Sequence, residues 1–291
     1  MRMNYIAKIQ SSLKGIRQLP TKHKTSQLLD GSYHSIYKGR SLNFDELREY
    51  VVGDDCKDID WKASARSQKL LVKQYLAEKK HNLLLVMDSN ARMLADTSGG
   101  MEKRELGILG AGSIAYLVNQ NGDFVSALYA TPHSLQRFPF RTGIRNIEHF
   151  LEDYHKQITL ENHSNLQDTL DYLLHNYSRH MILLLLTDLR GIESIPERTL
   201  QQLLMQNDIL VLCMEDADVS GSTVYSVERQ QYLPAFFTEN KKLVQKQQNI
   251  QKSLEASCKE KLKHFGIPMA MLSTLDEIPS RLIELLQSHK K

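Results

Sequence analysis

Short apolar runs alternate with helical patterns from residue 82 to the end of the chain. The apolar runs predict buried strands at 82–88, 123–130, 181–188, 208–215 and 267–273, with an edge strand at 134–140. Apolar residues spaced three and four apart predict helices at 102–119, 143–156, 165–178, 196–206, 238–265 and 276–288. Strands that alternate with helices build a mostly parallel sheet with helices on both faces. The pattern therefore predicts an α/β domain over residues 81–291.

The front of the chain, residues 1–80, follows a different pattern and is predicted to be an N-terminal extension. Ile6, Ile9, Leu13 and Ile16 recur at three- and four-residue steps, which predicts an amphipathic helix. Two interpretations of this helix stay open. Its apolar stripe could contact a membrane surface or a partner protein, or the helix could fold back onto its own domain. The second interpretation is favoured.

Composition narrows the class of protein. Apolar residues make up 41% of the 291 residues, enough for a globular core, and the formal net charge of +3 does not indicate a nucleic-acid binder. No run approaches the roughly 20 apolar residues that span a bilayer, and the start lacks the apolar segment of a signal peptide. Cys56, Cys213 and Cys258 are too far apart for a disulfide framework or a zinc knuckle. We expect a cytoplasmic protein.

Two of the predicted strands end in an aspartate, Asp88 and Asp188. In sheets of this class, ligands bind beyond the carboxyl ends of the strands, where the strand order reverses. If the two strands are neighbours, both carboxylates face one crevice. A simpler alternative is that each aspartate only caps the helix that follows it.

The segment from Gly39 to Arg66 concentrates glycine, charged and aromatic residues. Its pattern consists of Gly39, Phe44, Arg48, Tyr50, Gly53, Asp54, Asp55, Asp60, Trp61 and Arg66. This pattern resembles the signature of a bacterial family, the domain of unknown function number fifty-eight. The resemblance implies a Rossmann-like sheet of the von Willebrand factor A type. It also implies that the protein acts together with a MoxR-type AAA+ ATPase in the assembly or maturation of other proteins.

The signature segment has two interpretations of its own. It could form a rigid surface that the ATPase partner recognises. It could instead be a structural staple, with Asp60 in a buried ion-pair network with Arg48 and Arg66, and with Tyr50 and Trp61 anchored in the core. The staple is favoured.

The resemblance also implies a metal-ion-dependent adhesion site for Mg²⁺. Its positions correspond to Asp88, Asn90, Ser164 and Asp188 in this chain. Arg92 stands where the family pattern has a serine ligand, and a guanidinium has no lone pair to offer a metal. We expect Arg92 to bridge Asp88 and Asp188 and to replace the ion, so that no cofactor is needed; bound Mg²⁺ is the alternative.

No familiar catalytic motif occurs in the sequence, which contains no G-x-S-x-G, H-E-x-x-H or P-loop. His163 is the only histidine near the expected crevice. The leading hypothesis is a non-catalytic adaptor that binds the ATPase and other protein clients, but no nucleic acid. The alternatives are a magnesium-dependent protein-binding module and a hydrolase with an unrecognised site.

Overall fold

The computed structural model of the chain describes residues 4–15, 44–51, 59–75, 82–163, 166–217, 225–227, 230–234 and 240–288. The chain divides into two compact units. The larger comprises Met1–Tyr33 and His81–Lys291, and the smaller comprises His34–Lys80. This division differs from the predicted boundary at residue 80, because the first 33 residues belong with the large unit.

The described chain contains both helices and strands. In chain order they are α1 (Tyr5–Gly15), β1 (Phe44–Glu49), α2 (Trp61–Ser67), β2 (Leu71–Tyr75), β3 (Asn82–Met87), α3 (Lys103–Gln120), β4 (Phe124–Ala130), β5 (Leu135–Arg137), α4 (Ile144–Gln157), α5 (Leu166–Asn176), β6 (Ile182–Asp188), α6 (Leu189–Ser194), α7 (Glu197–Leu204), β7 (Asp208–Met214), β8 (Tyr225–Ser226), β9 (Gln231–Tyr232), α8 (Lys241–His264), β10 (Met269–Leu272) and α9 (Ile278–Ser288). Every strand and helix predicted after residue 82 is present.

The large unit is built on a six-stranded sheet with the order β10-β7-β6-β3-β4-β5. Every neighbouring pair is parallel except β4 and β5, which are antiparallel. The central strands β3 and β6 are buried along almost their whole length, as expected for strands covered by helices on both faces. The predicted α/β class with a mostly parallel sheet is confirmed.

The strand order reverses between β3 and β6. From β3 the chain moves to β4 on one side, and it later returns to place β6 on the other side. This is the switch point at which sheets of this class form a crevice beyond the strand ends. The pairing of Met87 with Leu186 sets the register, so Asp88 and Asp188 both emerge at this point.

Helix α3 is buried on nearly all sides because small residues let other elements approach it closely. A Cβ added to Gly107 would lie 2.9 Å from a Leu186 methyl, and one added to Gly112 would lie 2.6 Å from a methyl of Ile9. Interiors packed at crystal-like density leave no room for such atoms. These glycines therefore allow α3 to pack closely against the sheet and against α1.

Helix α1 folds back onto the large unit. Tyr5, Ile6, Ile9 and Leu13 are buried, and the helix packs against α3 and α4. The structure thus shows the folded-back arrangement, with the described part of the apolar stripe covered by protein. The fourth residue of the predicted stripe, Ile16, lies outside the described residues. Among the described residues, no helix has both the length and the apolar character needed to cross a membrane.

The small unit contains an antiparallel pair of strands and one short helix. Strand β1 pairs with β2, and Ile59 forms a bridge to Val72 on the other side of β2. Asp60 begins α2 as its N-cap, with one carboxylate oxygen accepting from the backbone N–H groups of Lys62 and Ala63, each at 3.1 Å. Such caps stabilise a helix by about 1 kcal/mol.

Candidate functional site

Asp88 and Asp188 lie side by side at the switch point and are almost completely buried. Asp88 directly follows β3, and its backbone N–H donates to the carbonyl of Leu186 at 2.8 Å. Asp188 is the last residue of β6 and also caps α6, since its Oδ1 accepts from Gly191 N at 2.9 Å. The structure therefore brings the two strand-end aspartates together.

Arg92 reaches the same point from a short 3₁₀ turn, Ala91–Leu94. Its Nε donates to Asp188 Oδ2 at 3.3 Å, and its Nη2 donates to Asp88 Oδ2 at 3.5 Å. Asn90 begins the turn as its N-cap, because its side-chain oxygen accepts from Arg92 N at 3.0 Å. The guanidinium thus lies between the two carboxylates, with 24% of its side chain exposed.

A second cation, Lys103, completes the arrangement, and the sequence analysis missed it. It is the first residue of α3, is 1% exposed, and donates to Asp188 Oδ2 at 3.1 Å and to Asp216 Oδ1. A signal was present in the sequence: Lys103 lies on the same helical face as Leu106, Gly107 and Gly110, which are buried. A lysine that begins a buried stripe needs an acidic partner. We call Asp88, Arg92, Lys103, Asp188 and Asp216 the crevice cluster.

Every carboxylate oxygen of Asp88 and Asp188 accepts a hydrogen bond within the protein. Asp88 Oδ1 accepts from Asn90 N at 3.0 Å, and Asp88 Oδ2 accepts from Thr187 Oγ1 at 2.7 Å as well as from Arg92. Both oxygens of Asp188 are bonded as described above. The cluster is therefore complete from protein groups alone, with three carboxylates facing two cations.

These residues do not fit the magnesium site that the resemblance implies. Magnesium requires about six compact oxygen donors, whereas here a guanidinium and an ammonium lie against the two carboxylates that would bind it. The amide oxygen of Asn90 is turned to the backbone of its own turn. The expected fourth ligand, Ser164, lies outside the described residues. Within the described ranges, no group of three or more His, Cys, Asp or Glu residues could hold a metal.

The two carboxyls differ in their protonation behaviour. Burial raises the pKa of Asp88, the neighbouring Asp188 raises it further, and Arg92 offsets only part of this. Burial alone would raise the pKa of Asp188 too, but Lys103 and Arg92 together hold it below its ordinary value. Burial disfavours the ammonium of Lys103, yet Asp188 and Asp216 outweigh it and raise the lysine pKa. Lys103 therefore contributes more than Arg92 to lowering the pKa of Asp188.

Gly191 packs closely against the cluster. A Cβ added to Gly191 would lie 1.8 Å from Thr187 Oγ1 and 2.7 Å from Asp88 Oδ2, so only glycine fits at this position. The buried hydroxyl of Tyr154 donates to the backbone carbonyl of Asp88. Tyr154 therefore holds the backbone of Asp88, whereas Asn90, Thr187 and Arg92 hold its carboxyl group.

The signature residues belong to the small unit, whereas the crevice cluster belongs to the large unit. Gly39, Gly53, Asp54 and Asp55 fall outside the described residues, and for Phe44 and Arg48 only the backbone, on β1, is described. Tyr50 is half-buried, and its backbone N–H donates to Leu70 O at 2.9 Å. Arg66 is exposed on α2.

The prediction that Trp61 anchors the core is wrong. Its side chain is 66% exposed. The reason is its position: Trp61 is the first residue of a two-turn helix whose buried residue is Ser64, three positions further on. His163, the histidine expected near the crevice, is exposed in the loop that follows α4.

Comparisons with known proteins give a family and a set of distant relatives. A family model described as "Protein of unknown function DUF58" matches residues 46–224. "Uncharacterized protein Rv1480" of Mycobacterium tuberculosis and "Uncharacterized protein Mb1516" of Mycobacterium bovis are each 31% identical to this chain over 136 residues. That match covers 47% of this chain and 42% of each relative, so the chain spans less than half of their length.

Two solved structures are similar to this chain at low identity. The conserved hypothetical protein BatB from Bacteroides thetaiotaomicron is 11% identical with a TM-score of 0.46, covering 72% of this chain and 100% of that one. A von Willebrand factor type A protein from Catenulispora acidiphila is 10% identical with a TM-score of 0.38, covering 73% of this chain and 43% of that one.

Proposed function

The chain belongs to the family described as protein of unknown function DUF58, and we propose that it is a non-catalytic protein-binding module whose crevice works without a metal ion. The observation that carries this proposal is the crevice cluster, in which Arg92 and Lys103 occupy the place of a divalent cation. A buried charge network of this kind holds its surroundings in one arrangement, a role attested for some buried polar groups. It would give the crevice edge a fixed shape for a partner.

The absence of catalysis is part of the proposal. A general base or nucleophile needs a free lone pair within reach of a substrate. Here both carboxyl groups are buried, and Arg92 and Lys103 lie against them, which limits the access of a substrate to their lone pairs. The cluster therefore suits a structural role better than a hydrolytic one.

The partner we propose is a MoxR-type AAA+ ATPase, with other protein clients brought to it. The resemblance of the signature segment supports this choice. The test is co-purification of the full chain with the ATPase of the same organism in the nucleotide-free, ADP-bound and ATP-analogue-bound states. We expect a complex in at least one state. Failure to bind in all three states would contradict the proposed partner.

A pair of variants distinguishes binding through the crevice from binding through another part of the surface. Asp216 is the most exposed acid of the crevice cluster, and its carboxylate pairs with Lys103. Asp216→Asn should weaken the complex, whereas Glu284→Gln, which changes an exposed carboxylate paired with Arg281 on α9, should leave it unchanged. Equal binding by both variants would place the contact elsewhere on the molecule.

A further inference from the structure

Two exposed tyrosines form an aromatic pair on the hairpin of β8 and β9. The rings of Tyr225 and Tyr232 meet edge to face with centroids 5.2 Å apart, and the side chains are 40% and 68% exposed. Beside them lies Leu160, 39% exposed, whose carbonyl accepts from Gln230 Nε2 at 3.0 Å. Tyrosine is enriched at binding hot spots because it offers a large, rigid surface with a polar end.

The aromatic pair is linked to the crevice through the loop between α4 and α5. Leu160 belongs to the loop between α4 and α5, and two residues later the carbonyl of Asn162 accepts from Ala91 N at 2.7 Å. Ala91 directly precedes Arg92 of the crevice cluster. Ala217, which follows Asp216 of the crevice cluster, donates its N–H to Asp96 O at 3.1 Å. The hairpin is therefore linked to the crevice cluster through Leu160 and Asn162, and we call the surface around Tyr225, Tyr232, Glu161 and Asp96 the mouth of the crevice.

Carboxylates contribute exposed charge to this surface. Asp96 and Glu161 are exposed and Glu215 is half-buried, whereas Glu102 is paired with Arg104 and Asp216 with Lys103.

Among the described residues, four nearby cations are already paired. Arg92 and Lys103 contact the buried aspartates. Arg104 pairs with Glu102 and donates to the carbonyls of His155 and Ile158 at 2.8 and 3.2 Å, and the exposed Arg190 pairs with Glu193 at 3.0 Å. Asp96 and Glu161 are therefore the exposed carboxylates that the described part of this surface offers to a partner.

We infer that the mouth of the crevice binds a lysine- or arginine-bearing segment of a protein partner. The exposed tyrosine faces supply cation–π contacts, and the carboxylates of Asp96 and Glu161 supply charge complementarity. An anionic membrane or a nucleic acid would be repelled by the same carboxylates. This inference rests on the proposed protein-binding function and names the chemistry of the segment that the crevice receives.

The test uses arrays of short peptides with degenerate flanks and a central residue fixed as Arg, Lys, Gln or Glu, probed with the full chain. The strongest binders are then measured by fluorescence anisotropy. We expect Arg- and Lys-centred peptides to bind, with affinity that falls as salt rises. Preference for Glu- or Gln-centred peptides, or the lack of binding to any peptide, would overturn the inference.

Matched variants locate the contact. Tyr232→Ala should weaken binding of the cationic peptides about two- to fivefold, the range of an exposed cation–π contact. The double change Asp96→Asn and Glu161→Gln should weaken binding and flatten its salt dependence. Met205→Ala, which truncates an 82% exposed residue on another part of the surface, should change nothing. Equal affinity of Tyr232→Ala and Met205→Ala would overturn the inference.

The ATPase complex separates this inference from the proposed function. A cationic peptide should compete with the ATPase, and the matched acidic peptide should not. If the ATPase binds but Tyr232→Ala and the cationic peptides have no effect, the inference fails and the proposed function stands. If cationic peptides bind as expected and the ATPase does not, the proposed partner fails while the inference stands.

Discussion

At the scale of single residues, the crevice cluster depends most on Lys103, because this lysine is its only completely buried cation. Its ammonium pairs with Asp188 and Asp216. Removing one partner of a buried ion pair leaves charge uncompensated and costs about 3–5 kcal/mol. Lys103→Met keeps much of the side-chain volume, so its effect is mainly the loss of the charge.

We therefore expect Lys103→Met to lower the free energy of unfolding by about 3–5 kcal/mol in urea denaturation. The matched control is Lys259→Met on α8, whose lysine forms an exposed pair with Glu255 and should leave stability unchanged. If Lys103→Met were as mild as the control, the buried ion pairs would not hold the crevice together.

The two buried aspartates of the cluster respond to pH with opposite signs. The pKa of Asp188 lies below its ordinary value of 3.8, so ionised Asp188 contributes stability above pH 3.8 that is lost as pH falls through its lower folded-state pKa. The pKa of Asp88 lies above 3.8. Its contribution is therefore present below pH 3.8 and is lost as pH rises through the raised folded-state pKa.

Asparagine variants should show this difference directly. Asp188→Asn should cost more stability as pH rises from acid toward neutral, because it removes the ionised partner of Lys103. Asp88→Asn should cost less over the same rise, because it removes a carboxyl whose ionised form is disfavoured. Urea unfolding of both variants across this pH range checks the expectation; costs that follow the same trend with pH would contradict it.

Residue by residue, the sequence predicted the site only in part. Asp88 and Asp188 could be predicted because each one ends an apolar run. Arg92 could be predicted because it stands where the family pattern has a ligand. Lys103 was missed because a lysine at a helix start is usually solvated, and its partners lie 85 and 113 positions away. The exposure of Trp61 was mispredicted because one short helix in the small unit leaves its first residue outside the packed face.

At the scale of elements, α1 is attached to the large unit by a cap from another helix. The carboxylate of Glu148 on α4 accepts from Tyr5 N and Ile6 N at 2.8 and 2.9 Å. Glu105 on α3 accepts from the Tyr5 hydroxyl at 3.0 Å. Carboxylates at a helix N-terminus satisfy free N–H groups and complement the helix dipole.

Glu148→Gln should loosen α1 without unfolding the sheet, because a neutral amide is a weaker cap by about 1 kcal/mol. Hydrogen exchange followed by mass spectrometry should show faster exchange in Tyr5–Gly15, by about fivefold, with β3 and β6 unchanged. Glu284→Gln on α9 is the control. Unchanged exchange in α1 would show that its apolar face alone holds it.

Elements with long apolar runs were predictable, and the shortest ones were not. Strands β3 and β6 are continuous apolar stretches, so the sequence specified them clearly. Helix α6 has six residues, too few for a helical period to be recognised. Strands β8 and β9 have two residues each and form through tertiary contacts such as that of Gln230 with Leu160.

At the scale of the whole molecule, the strand order of the sheet is connected with the proposed function. The reversal between β3 and β6 places two aspartates beside each other, and the sheet carries Asp216 to the same edge at the end of β7. An ionised carboxylate buried there is unfavourable unless a cation lies beside it, and Arg92 and Lys103 both lie beside Asp188. This chain supplies both from its own side chains.

The central claim is that these protein cations take the place of a divalent ion. The direct measurement is isothermal titration of the full wild-type chain with Mg²⁺ and with Mn²⁺, after treatment with a chelator and exchange into metal-free buffer. With Arg92 and Lys103 on the carboxylates, we expect no saturable heat of binding up to millimolar metal. Saturable binding in the micromolar range would contradict the claim.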